Sequence, residues 1–280
     1  GAPTPKGQIL SDQYLGNIRP RVKAFMAELD DTLWKLGIFA KTEHNEVAPC
    51  QHEMAAVYTK ASISIDQNQL TMEMMKKIAD KHGFYCLLHE KPFAGINGSG
   101  KHNNWSICTD DGENLINPGK APYENVKFQL FLTAVIKAVD DYQDLLKIGV
   151  STAGNDHRLG GHEAPPAIIS MYLGRNLSNV VDAIISGTEL EAAQEKAKKK
   201  PEDEDRNRTS PFAYTGGKFE FRMPGSSDNV SCANYILNTA VAESLKQFAD
   251  RLEPYMGKAS LQKEMKKLIR EELKAHQRIL

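Results

Sequence analysis

Apolar positions along this chain follow two periods, about 3.6 and 2 residues, and the switches between them outline the elements. Val22, Phe25, Met26, Leu29, Leu33 and Leu36 recur at helical spacing, which predicts a helix over 11–37 that starts or kinks at Pro20 and stops at Gly37. Residues 44–65 change character, with Pro49 and a β-branched run through Val57, Thr59, Ile63 and Ile65. A second helix is predicted over 66–82, with Asp66 as N-cap and Gly83 as stop. Phe84-Tyr85-Cys86-Leu87-Leu88 then reads as a buried strand. Lys91 to His102 is a Gly-rich loop leading into a strand around 104–109, and Phe128 to Tyr142 sits in a helix over 123–147. Residues 151–167 read as a long polar loop. Two charge blocks, Lys196–Lys200 and Glu202–Asp205, mark a solvated, mobile excursion over 189–206. A strand at 218–223 and helices at 230–252 and 259–277 complete the chain. The elements lack a regular βαβ rhythm, so the expected class is α+β with an antiparallel sheet.

The strand at 218–223 carries the sharpest alternation. Phe219, Phe221 and Met223 share one face; Lys218, Glu220 and Arg222 share the other. A wet polar face is the ordinary outcome for an antiparallel sheet. A cleft-lining face would instead offer one carboxylate between two cations, fit for a metal at Glu220 and an anionic substrate at Arg222.

Composition narrows the classes. The 280 residues, 41% hydrophobic and 25% charged, suit a soluble globular protein with a substantial core. A net charge of -1 gives no reason to expect nucleic acid or an anionic membrane. No apolar run approaches the ~20 residues needed to span a bilayer, so no membrane association is expected. Cys50, Cys86, Cys108 and Cys232 form no CxxC pair and read as reduced thiols of a cytoplasmic protein. The chain opens at Gly1 without Met, and the expectation is either a removed leader or a segment excised from something longer.

Four polar constellations carry candidate chemistry. Glu46 and Glu53 flank Pro49, where a bend would bring both carboxylates toward one hard divalent cation. Gly95-Ile96-Asn97-Gly98-Ser99-Gly100-Lys101-His102 falls one residue short of a phosphate loop, since His102 stands where a hydroxyl is needed and the following residues start a helix poorly. The loop can still bring backbone amides and Asn97 close to a ligand, with His102 as a metal or phosphate contact. Arg158, His162 and Glu163 share the polar loop, where Arg suits a carboxylate and Glu163 a base. Arg208 and Arg222 would clamp anions bidentately.

Together, in this order, these stretches resemble the catalytic domain of the glutamine synthetase family, most closely its large type III class. Asn45 to Glu53 resembles the metal-binding carboxylate segment. Lys91-Pro92 with Asn97-Gly98-Ser99-Gly100-Lys101-His102 resembles the glycine-rich signature. Arg158 to Pro165 resembles the loop with a substrate Arg and the ammonium-site Glu; Asn207-Arg208-Thr209-Ser210 and Lys218 to Arg222 resemble the nucleotide-side Arg and the metal-plus-glutamate strand. The resemblance implies a curved antiparallel sheet with flanking helices, a catalytic domain over 1–253 that is incomplete at its N-terminus, and a helical extension over 254–280. It implies ATP-dependent ligation of ammonia to glutamate through γ-glutamyl phosphate, giving glutamine, ADP and phosphate.

The same resemblance assigns roles. Glu46 and Glu53 would bind one Mg²⁺ or Mn²⁺; His102 and Glu220 would bind a second. Asn97 and Gly98 would position glutamate, Arg158 and Arg222 would hold its carboxylates, Ser106 and Lys218 would face the nucleotide, Arg208 the phosphate, and Glu163 would take the ammonium proton. By family the protein would be a homo-oligomer, a dodecamer of two stacked hexameric rings, in the cytoplasm. Two departures stand out: Ala213 occupies a position where common bacterial members have Arg, and Lys218 one where many have Arg. A ligase for glutamate and a polyamine, and a non-catalytic assembly or binding protein of the same fold, are the alternatives.

Overall fold

The computed structural model describes residues 14, 16–46, 48–161, 164–188 and 210–280. Glu163, Arg208 and the predicted excursion at 189–206 lie outside them. The chain divides into two compact units, Gly1–Ser99 with Ser226–Ser231, and Gly100–Gly225 with Cys232–Leu280.

In the first unit, helix α1 (Pro20–Lys35) begins at Pro20 itself, because proline's fixed φ and missing N–H suit a first helical position. Its Leu29 and Leu33 pack with Ile38 and with Ile78 of helix α2 (Ala61–Lys81) into a small core, flanked by Met54, Met74 and Met75. Helix α2 starts five residues before the predicted Asp66, and Lys60 holds the N-cap position without a side-chain bond. Strands β1 (Ala40–Asn45) and β2 (His52–Ala56) form an antiparallel pair, joined across the turn at 48–51. Cys50 there takes φ 53°, the left-handed region that a tight reversal requires.

The strand expected at Phe84–Leu88 is not formed. Residues 84–88 do alternate, but Tyr85 is 92% and Leu87 69% exposed, and the segment has no ladder partner among the described residues. Phe84 turns inward against Phe25, with the Arg21 guanidinium 4.5 Å above its ring. An apolar run supplies strand propensity, yet only a neighbouring strand supplies the hydrogen bonds.

The second unit holds a four-stranded sheet in the order β3 (Asn103–Trp105), β6 (Phe219–Phe221), β5 (Phe212–Tyr214), β4 (Met171–Tyr172). The pairs β3–β6 and β5–β6 are antiparallel, while the edge pair β4–β5 is parallel. Phe212, Phe219, Phe221 and Met223 are fully buried behind this sheet, each worth about 1.5–3 kcal/mol of transfer free energy. They meet helix α3 (Val126–Asp141), which contributes Phe128, Leu132, Val135, Ile136 and Val139. Asn125 caps α3 by accepting from the Phe128 N–H. The predicted helix over 123–147 breaks at Tyr142 into α3 and the short α4 (Gln143–Ile148).

The stretch 151–167, expected to be loop, contains helix α5 (Ala153–Arg158), started by Thr152 accepting from Asn155 N–H. Helix α6 (Arg175–Ser186) is an addition to the expected elements. It ends at Gly187, whose φ of 72° closes the helix as only glycine does cheaply. Helices α7 (Ser231–Leu252) and α8 (Leu261–His276) fall close to prediction, and α8 packs on α3 and α6.

Candidate metal and anion site

Strand register builds the first cluster. His44 and Glu46 are two residues apart along β1 and its continuation, so they share a face, and His44 pairs directly with Glu53 on β2. The reversal at 48–51, which runs through Pro49, lays β2 back on β1, so the expected bend there does bring the two carboxylates together, with His44 between them. His44 Nε2 lies 2.8 Å from Glu46 Oε1 and 2.8 Å from Glu53 Oε2. The Tyr14 ring stands edge-on to the imidazole at 5.1 Å, and buried Asn45 donates to Gly16 O at 2.9 Å, fixing the end of β1. Glu46 and Glu53 came from the sequence; His44 did not, although the i, i+2 spacing was a readable signal for it.

The second cluster sits on β6. Glu220 has Asn104 of β3 and Ala213 of β5 as its cross-strand neighbours. His102 Nδ1 reaches Glu220 Oε1 at 2.5 Å, and Arg222 Nε lies 3.9 Å from the same oxygen. Arg222 is 4% exposed, so the polar face is buried at this end of the strand, while Lys218 at the other end is exposed. A buried guanidinium beside a carboxylate and an imidazole is costly to assemble for stability alone. Ala213, the β5 partner of Glu220, is itself buried.

Arg158 is buried and braces the end of β6. Its Nη2 donates to Met223 O at 2.9 Å and Arg222 O at 3.3 Å, and its Nε donates to Asn155 Oδ1 at 2.9 Å. Asn155 in turn donates to Val150 O and Met223 O, both at 2.7 Å. A side chain on Gly100 would overlap the Arg158 guanidinium. That gives the last glycine of the Gly-rich loop a physical reason which sequence spacing did not disclose: a cation lies against its Cα.

Asn97 is buried in the first unit and Gly98 partly so, whereas Ser106 and Lys218 are exposed in the second. Glu90, absent from the sequence reading, anchors the Gly-rich loop. Its carbonyl accepts from Ser99 N–H at 2.8 Å, and its carboxylate accepts from Ser227 Oγ at 2.5 Å and Ser227 N–H at 3.1 Å. Burial alone would raise the Glu90 carboxyl, but these hydrogen bonds prevail and hold it below the usual range.

The profile of the glutamine synthetase catalytic domain matches residues 11–181, more than half of the chain. This chain belongs to the glutamine synthetase catalytic-domain family. A glutamine synthetase of Butyrivibrio fibrisolvens is 51% identical over the whole chain, and a type-3 glutamine synthetase of Dictyostelium discoideum 47%. The chain spans 41% and 39% of the lengths of these two relatives. Among solved structures, a ligand-free GmaS superposes with TM-score 0.61 at 21% identity, covering 87% of this chain and 51% of its own. A glutamine synthetase of Plasmodium falciparum gives 0.59 at 16%, covering 80% and 38%. At those identities the likeness is one of fold. No helix of the described residues is long and apolar enough to cross a membrane.

The donor chemistry of the first cluster fits the divalent ion expected in this family. One ligand atom from each of His44, Glu46 and Glu53 lies within 4.8 Å of the others. Donors on opposite sides of an ion at about 2.4 Å are separated by at most about that distance. Two carboxylates and a neutral imidazole also carry the two negative charges that a divalent cation balances.

Proposed function

We propose that this chain supplies metal-, nucleotide- and glutamate-binding residues of an ATP-dependent ligase that joins ammonia to the γ-carboxylate of L-glutamate. The observation that carries the reading is His102–Glu220–Arg222 in a glutamine synthetase fold, where an imidazole just before β3 and a buried guanidinium just after β6 both approach the Glu220 carboxylate of β6. Residues 1–253 are taken as the catalytic segment and 254–280 as a helical extension.

In this reading Glu46 and Glu53 hold one Mg²⁺ or Mn²⁺, and His102 and Glu220 hold another. Bound there, divalent ions would neutralise the charge that builds on phosphoryl oxygens during transfer. The chain's own residues do the rest. Arg222 holds a glutamate carboxylate, and Arg158, which braces the Arg222 backbone, takes part in the same grip. Asn97 and Gly98 orient the substrate. Lys218 and Ser106 face the nucleotide, Arg208 faces the phosphate, and Glu163 takes a proton from ammonium so that the free amine attacks the acyl phosphate. Water must be kept out, since it would hydrolyse that intermediate. A cytoplasmic homo-oligomer, a dodecamer of two hexameric rings, is the expected assembly.

Phosphate release from ATP tests the reading, measured with glutamate and either ammonium or a polyamine. Preference for ammonium supports it; preference for the polyamine moves the protein to another amine ligase. On the chain alone, Mn²⁺ with ATP should raise the thermal midpoint, and the absence of any shift would favour a non-catalytic role.

A further inference from the structure

We infer that His44 is a further protein ligand of the ion held by Glu46 and Glu53, and that its nitrogen biases this site toward borderline ions such as Mn²⁺, Co²⁺ or Zn²⁺ over Mg²⁺. This rests on the proposed metal role of the two glutamates and adds a residue and a selectivity to it.

Three observations carry it. First, the β1–β2 register projects His44, Glu46 and Glu53 from one face, so their convergence is imposed by the ladder rather than by side-chain chance. Second, His44 Nε2 is equidistant, at 2.8 Å, from an oxygen of each glutamate. A single N–H cannot point along both lines, whereas a cation set among the three atoms would take the Nε2 lone pair and one oxygen from each carboxylate. Third, the imidazole is oriented from outside the donor set. The Tyr14 ring packs edge-on at 5.1 Å, and the same tyrosine's hydroxyl lies 3.5 Å from Glu46 Oε2. Outer groups of this kind hold ligands in place for a metal.

Selectivity follows from ligand chemistry. Mg²⁺ prefers oxygen donors, whereas imidazole suits transition-series ions and Zn²⁺. A mixed N,O,O set therefore gains most for the second group. The cluster Asp140, Asp141 and His276 has similar residue types but already contains Arg278 and Lys137, and it carries no such inference.

The experiment is Mn²⁺ titration of the 280-residue chain followed by electron paramagnetic resonance, with electron spin echo modulation to detect directly bound ¹⁴N. Wild type, His44→Gln, Glu53→Gln, His102→Gln and the double variant of His102→Gln with His44→Gln are compared, each checked for an unchanged thermal midpoint without metal. Because His102 is proposed to ligate a second ion, the expected result is a ¹⁴N coupling that persists in His102→Gln and is lost when His44→Gln is added to it. Mn²⁺ affinity should fall about tenfold or more in His44→Gln while Mg²⁺ affinity, read by competition, changes far less. If Glu53→Gln weakens Mn²⁺ but His44→Gln changes neither the affinity nor the coupling left in His102→Gln, the His44 inference fails and the carboxylate site survives. If Glu53→Gln also leaves Mn²⁺ binding unchanged, or wild type binds none, the underlying metal reading fails with it. A coupling that already vanishes in His102→Gln assigns the nitrogen to the β6 cluster and overturns the proposal.

Discussion

Among the described residues, an imidazole and two carboxylates gather within ligand distance in two places, His44 with Glu46 and Glu53, and His276 with Asp140 and Asp141. The two differ in what completes them. Around His276 the protein brings its own cations: Arg278 Nε donates to both oxygens of Asp140 at 2.9 and 3.1 Å, and Lys137 Nζ lies 2.8 Å from Asp141. Burial would lower the Lys137 ammonium, but Asp141 and Glu272 outweigh it and raise it, so the cation persists. Nearby Arg251 pairs with Glu271 and Glu272, both at 2.6 Å. That network ties α8 and the turn after it to α3. Around His44 the imidazole itself bridges the carboxylates on a register-fixed strand face. The same functional groups, one imidazole and two carboxylates, thus serve as cement in one region and as a candidate ion site in the other, and charge balance separates them.

Breaking Asp140 should have the largest effect. Its side chain is 2% exposed and bonded to His276 and Arg278, so Asp140→Ala should cost roughly 3 kcal/mol in urea unfolding. Mn²⁺ affinity should stay at the wild-type value; a parallel loss would erase the distinction between the clusters. Glu220→Ala reverses the pattern. Calorimetry should show Mn²⁺–ATP binding weaker by about 10- to 100-fold, with a stability loss well below that of Asp140→Ala. If stability collapses while affinity holds, β6 presents a structural face and not a binding one.

Arg278→Ala sharpens the comparison from the weaker side of the cement. Its side chain is 72% exposed, so solvent screens its pairing with Asp140, and the loss should stay below about 1 kcal/mol. Last is Glu90→Gln, read from its pH dependence, which removes a carboxylate settled by a hydroxyl and an N–H. The folded carboxyl is held below its usual range. It therefore contributes stability above the unfolded value near ~4.3, lost as pH falls through the lower folded value. Unfolding across acid pH should show a shallower decline for Glu90→Gln; an identical slope would mean Glu90 gains nothing from Ser227.

Local pattern carried far in this chain, though unevenly. The heptad-like spacing of α3 and the Phe219, Phe221, Met223 face were legible because one buried stripe or face imposes its own period. Helix α6 carries the same signal: Leu177, Val180, Val181, Ile184 and Ile185 recur at helical spacing before Gly187. Phe84–Leu88 misled for the opposite reason. Alternation there reflects an extended segment lying on a surface, and periodicity does not reveal whether a partner strand exists.

Sequence by itself determined which segments become helix or strand, which faces are apolar, and the family, since those depend on contacts a few residues apart or on motif order. Only the tertiary structure decided that His44 joins Glu46 and Glu53, that Gly100 leaves space for Arg158, and that Asp140 meets His276 across 136 positions. Ladder register and helix packing set those meetings. They arise from choosing among many compact arrangements of the same elements, and that choice rests on the summed burial of distant side chains, which no local window contains.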